Sequence, residues 1–279
     1  MNLEKETEIR QEIAEKLSIY IPAITAKFGK FMSESTKSRL ENIKNYEEII
    51  AFDYSGNVSA WSSQSKITLP IGATNAFDII SKFPNAGTDK NHKNYTEKTL
   101  IENDNTFEDY INHLILIKAD ILTYFNDLLL HETMHFCGSG GSNVRRIGAF
   151  KEGLNEYLTR IVAKENGFQT SGCGYPKEIK MVIAMEQILG SDVLTQMAFL
   201  NSFEEIRDYL KMSVGREKAK LFCKVTLEME QEFSDKYFSN MKEFIGFNGA
   251  INKAKAYKNI DYSKSLSFID EYKSNCEMQ

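Results

Sequence analysis

The most informative part of the sequence spans residues 128–157 and reads LLLHETMHFCGSGGSNVRRIGAFKEGLNEY. It contains the pattern His-Glu-x-x-His at residues 131–135, in a largely apolar setting. Residues four positions apart lie on the same face of an α-helix, so the imidazoles of His131 and His135 can reach one metal ion. Glu132 is one step further round the helix, where its carboxylate can accept a proton from a water molecule on that ion. The pattern therefore predicts a metal site with a general base beside it.

A third ligand is needed, because a catalytic zinc site uses three protein side chains and keeps one position open. Residues 136–151 separate His135 from Glu152, and this stretch is rich in glycine. Its length suits a turn and a reversal of direction, so a second helix can present Glu152 to the metal. Glu156 lies one turn further on the same face, where it can accept the free ring N–H of one histidine.

The rest of the sequence predicts an α+β fold. Two runs at residues 51–54 and 58–61, separated by Ser-Gly-Asn, predict a β-hairpin. Residues 66–71 predict a third strand, for which Pro70 favours an edge position, and the polar stretch 85–106 predicts a surface loop. Apolar residues at helical spacing predict helices over residues 3–21, 111–137, 147–164, 176–189, 192–200, 203–213 and 215–245. Pro22 suggests that the first helix ends near residue 21.

This order of elements predicts two lobes that meet near the glycine cluster at residues 138–141. Residues 1–137 are expected to form an N-terminal lobe, with a small mixed sheet and the helix that carries the motif. Residues 138–279 are expected to form a mainly helical C-terminal lobe packed against it. A single continuous catalytic domain is the alternative.

Composition restricts the partners and the cellular compartment. The net charge of −5 argues against a broad nucleic-acid surface. No apolar run approaches the roughly 18 residues of a membrane span, and the charged N-terminus has no secretory signal. The four cysteines form no Cys-x-x-Cys pair, which favours a reducing compartment. We therefore expect a cytoplasmic protein that binds neither nucleic acid nor membrane, and export without a signal stays open.

The two motifs together resemble the gluzincin metallopeptidases, which include thermolysin-like and aminopeptidase-N-like enzymes. Residues 151–158, KEGLNEYL, are similar to the helix that supplies the third zinc ligand in those enzymes. The resemblance implies a zincin-like fold with one zinc ion on His131, His135 and Glu152. It also implies Glu132 as the general base and Glu156 as the carboxylate that supports a histidine. The spacing between the motifs is slightly shorter than usual in those families, which leaves an alternative with Glu156 as ligand and Glu152 at the rim.

The resemblance further implies a peptidase that acts on a peptide or protein substrate. Such enzymes use a Tyr or His to stabilise the oxyanion, and no histidine follows His135 in this chain. The candidates that remain are Tyr157, Tyr209 and Arg145, with Tyr175 and Arg146 as further possibilities. No segment resembles the GxMEN-type sequence of aminopeptidases, so an endopeptidase is expected. Zincins commonly bind substrate along an edge strand, and residues 66–71 are the candidate for it.

Two other functions remain compatible with the sequence. One is a zincin-fold binding or effector protein that no longer turns over substrate, in keeping with the missing oxyanion histidine. The other is a helical protein in which the His-Glu-x-x-His pattern occurs by chance. Metal content and cleavage of an unstructured protein distinguish the three.

Overall fold

The computed structural model describes residues 3–53, 60–70, 121–138, 145–168, 170, 175–236, 256–257 and 259–277. The side chains of residues 3–5, 70, 121–125, 145 and 236 lie outside this description. The described part is mostly helical with a small sheet, which confirms the α+β class. Its helices are α1 (Leu3–Phe28), α2 (Glu34–Glu41), α3 (Ile121–Cys137), α4 (Gly148–Asn166), α5 (Pro176–Leu189), α6 (Ser191–Ala198), α7 (Phe203–Ser213), α8 (Arg216–Lys236) and α9 (Ser263–Glu277).

The helices agree closely with the sequence pattern where they are described. Helices α5 and α7 begin and end at the predicted residues, and α4 differs by two residues at most from the expected end. Residues 85–120 and 237–250 lie outside the described part, so the predicted loop and parts of two predicted helices fall there. No helix in the described ranges is both long and apolar enough to cross a membrane.

The expected end of α1 at Pro22 is wrong, because the helix continues to Phe28. Pro22 itself is exposed, whereas Ile21 and Ile24 on either side of it are buried. A proline inside a helix costs about 3 kcal/mol through its lost hydrogen bond and its ring clash. Burial of the apolar residues on both sides opposes that cost and keeps the helix continuous.

The sheet contains β1 (Ile50–Asp53), β2 (Trp61–Ser62) and β3 (Ile67–Pro70), in the order β1-β3-β2. Strand β3 pairs parallel with β1 and antiparallel with β2. The predicted hairpin is wrong where it can be checked, since β1 and β2 lie on opposite sides of β3, while residues 54, 58 and 59 lie outside the described part. The edge position predicted for residues 66–71 is also wrong. Ile67 and Leu69 are fully buried, which favours the central position, and Pro70 is the last residue of the strand.

Strands β2 and β3 pack against α3, and α1 packs against it as well. The helix that carries the motif is therefore covered by the sheet and by α1. Arg39 in α2 donates to the carbonyl oxygens of Phe136 (2.6 Å) and Gln64 (2.9 Å), which ties α2 to the end of α3. Buried residues from both sides of the predicted boundary at residue 137 belong to one continuous apolar cluster. The division into two lobes stays a prediction.

Helices α4 and α5 lie in very close contact at Gly153. A Cβ atom at this position would lie 2.4 Å from the Cβ of Glu178 and 2.7 Å from its carbonyl carbon. Real Cβ atoms essentially never approach other atoms so closely, and a backbone carbon has little freedom to move away. The glycine after Glu152 is therefore required by helix packing.

We predict that Gly153→Ala lowers the free energy of unfolding by roughly 1–3 kcal/mol, as expected for an overpacked interior. Urea unfolding followed by circular dichroism measures this change. Gly29→Ala is the matched control, because a Cβ there meets only Thr25 Cγ2 at 3.8 Å. Equal stability of the two variants would contradict the close packing of α4 on α5.

Candidate metal centre

Helices α3 and α4 bring His131, His135 and Glu152 together. The Oε2 atom of Glu152 lies 3.1 Å from Nε2 of His131 and 3.3 Å from Nε2 of His135. One ligand atom from each residue lies within 4.8 Å of the other two. Within the described residues, this is the one group of His, Cys, Asp and Glu side chains with the geometry to hold a metal ion.

These distances fit a metal ion. A divalent ion bound tetrahedrally at about 2.0–2.1 Å separates neighbouring ligand atoms by about 3.3 Å. The two measured distances between nitrogen and oxygen, 3.1 and 3.3 Å, are close to that value. Three converging side chains also leave a fourth position for a water molecule or a substrate. The residues present therefore suit a bound divalent ion.

The hydrogen bond from His131 to Glu156 fixes which ring nitrogen faces the metal position. Nδ1 of His131 lies 2.9 Å from Oε2 of Glu156, which is buried. Burial alone would raise the pKa of Glu156, but the hydrogen bonds with His131 and Arg160 lower it. The carboxylate is then ionised and can only accept, so Nδ1 carries the proton and donates. Nε2 is then the ring nitrogen that faces Glu152.

When Nε2 of His131 gives up its proton, its lone pair and the carboxylate oxygen of Glu152 repel each other unless a metal ion lies between them. Burial lowers the pKa of His131, but the hydrogen bonds to Glu152 and Glu156 outweigh it and raise the pKa to about 10. The pocket therefore strongly favours a positive charge, which can be a proton or a metal ion. The structure thus brings Glu152 to the metal position and Glu156 behind a histidine, and the opposite assignment of the two carboxylates is not supported.

Glu132 is buried, with 6% of its surface exposed. Burial raises its pKa, although His135 and His131 oppose the shift. The nearby hydroxyl of Ser62 in β2 also opposes the rise in the pKa of Glu132. The buried oxygen of Ser62 makes no hydrogen bond within the described residues. A raised pKa makes a carboxylate a stronger proton acceptor, as a general base requires.

Asn155 is a residue of the site that the sequence analysis missed. Its side-chain Nδ2 donates to the backbone carbonyl of His131 (2.9 Å), inside the contact between α3 and α4. It lies three residues after Glu152, so its position on the same helix face was a signal that could have revealed it. The contact fixes the two helices at the point where the ligands converge.

Tyr175 is the oxyanion candidate that contacts a ligand. Its ring stacks on that of His131, with centroids 5.4 Å apart and planes inclined by 23°. Its backbone has φ of +46°, a left-handed conformation that is strained for a residue other than glycine. It directly precedes Pro176, the first residue of α5.

The three main oxyanion candidates have other surroundings. The hydroxyl of Tyr157 donates to Oε2 of Glu186 (2.9 Å), and burial together with Glu186 raises its pKa to about 12. Tyr209 lies on α7, which packs on α6 and α8. Arg145 begins a short 3-10 helix, and its side chain lies outside the described part. Arg146 is largely exposed, 3.9 Å from Glu204.

Comparison of the chain with protein-family models, with curated proteins and with solved structures found no match. The resemblance to gluzincins therefore rests on residues 131–156 alone. The structure supports an α+β fold and three side chains that could hold a metal ion.

We predict that the purified chain binds one divalent ion, and that His131→Ala loses it because one of three protein ligands is gone. Metal analysis after dialysis against buffer with trace zinc measures the content. His92→Ala is the control, because it removes a histidine to which the sequence assigns no ligand role. Stoichiometric metal in the His131→Ala protein would remove the basis for the centre.

Proposed function

We propose that this chain is a zinc-dependent metallopeptidase that hydrolyses peptide bonds in a peptide or protein substrate. The observation that carries the proposal is the convergence of His131, His135 and Glu152 on one point, with Glu132 buried beside them. A site for structural zinc normally has four protein ligands, whereas this one has three and a neighbouring carboxylate.

Zinc is the metal that this donor set suits best. Two neutral imidazoles and one carboxylate form the His₂Glu set of catalytic zinc sites. Calcium and magnesium prefer oxygen ligands and more of them. When bound here, zinc would supply a Lewis acid that polarises a substrate carbonyl and makes a water molecule more acidic.

Glu132 is proposed to move the proton during hydrolysis. Its carboxylate accepts a proton from the attacking water and then delivers it to the nitrogen of the leaving amine. Its buried position keeps bulk water from competing for that proton.

Tyr175 is proposed to stabilise the negative charge that develops on the substrate oxygen. Support for this role comes from the stacking of its ring on that of His131, which places it beside the metal position. A hydroxyl donor at this point strengthens its hydrogen bond as the charge develops, which lowers the barrier.

We predict that Glu132→Gln binds zinc as tightly as the unmodified protein but loses about 10²–10⁴-fold in kcat, the usual contribution of a general base. Cleavage of casein and of a peptide library, with and without a chelator, measures the activity. Undiminished turnover in this variant would eliminate the proposed mechanism. If the unmodified chain binds zinc and cleaves none of these substrates, an inactive binding or effector protein is favoured instead.

We predict that Tyr175→Phe retains zinc and the stacking on His131 while kcat falls by about 10²-fold, as for loss of one oxyanion donor. Tyr175→Leu also removes the stacked ring, so a difference in zinc affinity between the two variants measures the packing role. Steady-state kinetics on the best peptide gives kcat and KM separately. Full activity of Tyr175→Phe would restrict Tyr175 to packing.

A further inference from the structure

Both carboxylate oxygens of Glu156 are engaged by cationic or donor side chains. Oε2 lies 2.9 Å from Nδ1 of His131, and Oε1 accepts from Nε of Arg160 at 3.0 Å. Arg160 lies one turn further along α4, so the arginine and the carboxylate share one helix face. The contacts form a chain from Arg160 through Glu156 to His131 and the metal position.

We propose that Arg160 is a positioning residue of the metal centre, which acts on His131 by holding the carboxylate of Glu156 in place. This inference rests on the proposed zinc site. A carboxylate can rotate about its terminal bond, and its partner on one oxygen decides where the other oxygen lies. With Oε1 held by Arg160, Oε2 meets Nδ1 of His131, and the ring is kept with Nε2 toward Glu152.

Charge balance supports the same role. The site gathers three carboxylates, those of Glu132, Glu152 and Glu156, and a divalent ion offsets two negative charges. Arg160 supplies the third positive charge through its ion pair with Glu156. The neighbouring buried ammonium of Lys151 is directed elsewhere, since it donates to backbone carbonyls at the end of α6.

The burial of Glu156 and Arg160 decides how much their removal should weaken metal binding. The Glu156 side chain is 9% exposed and the Arg160 side chain 31% exposed, so solvent partly screens the ion pair. Loss of a direct partner of a ligand typically weakens metal binding 10- to 100-fold. Removal of Arg160, which acts one step further out, should therefore weaken binding less than removal of Glu156.

The test is the zinc affinity of the full chain, measured by competition with a chelator. We expect Glu156→Gln to weaken binding about 10- to 100-fold and Arg160→Gln about 3- to 10-fold. Arg160→Lys should recover most of the loss, because an ammonium at this position can still donate to Glu156. Lys164→Gln is the matched control, since it removes one exposed positive charge from the same helix and should leave the affinity unchanged.

A double-mutant cycle separates positioning from a general structural effect. If Arg160 acts through Glu156, Arg160→Gln adds no further loss in the Glu156→Gln background, and the melting temperature of metal-free Arg160→Gln stays near that of the parent. Unchanged zinc affinity in Arg160→Gln, or an undiminished loss in the double variant, overturns the inference and leaves the zinc site intact. Failure of the unmodified chain to bind zinc overturns the inference together with the proposed function.

Discussion

One carboxylate oxygen, Oε2 of Glu152, lies against the Nε2 atoms of two histidines at once. A proton on each nitrogen can satisfy these contacts, and a single ion between the three atoms can satisfy both at once. The rest of the site is arranged around this point, because the hydrogen bond from His131 to Glu156 keeps Nε2 of His131 toward the carboxylate of Glu152. Well-packed apolar side chains in place of a buried ionic cluster are often neutral or stabilising, so stability alone does not account for this cluster.

Helix α4 must be held firmly for this arrangement to persist, and three contacts hold it. Gly153 lets the helix lie against Glu178 of α5, and Asn155 ties it to the start of the motif on α3. The carboxylate of Glu230 on α8 accepts from the backbone N–H of Ala149 (2.9 Å), which satisfies a donor in the first turn of α4. Apolar packing sets the distance between helices, and these polar and steric contacts fix the rotation of α4 about its axis.

The candidate metal centre was predictable because the period of a helix is local. The spacing of His131 and His135 places both on one face, and the four-residue step from Glu152 to Glu156 gives one carboxylate to the metal position and the other to a histidine. The sheet was not predictable in the same way. Strand pairing depends on residues far apart in sequence, and β1 joins β3 across a connection that no periodicity describes. Contacts such as the ring of Tyr175 on His131 arise only when α5 packs on α4.

Lys151 and Glu152, the first two residues of KEGLNEYL, are adjacent on α4 but differ in burial and in their contacts. Lys151 is buried, and burial lowers its pKa to about 7 even though Glu152 opposes the shift. Its ammonium donates to the carbonyls of Met197 and Ala198, where the C-terminal end of α6 carries partial negative charge. The adjacent Glu152 is partly exposed and lies at the metal position. Lys151 and Glu152 are adjacent in the sequence. The hydrogen bonds that hold Lys151 in the core therefore also help to hold Glu152 at the metal position.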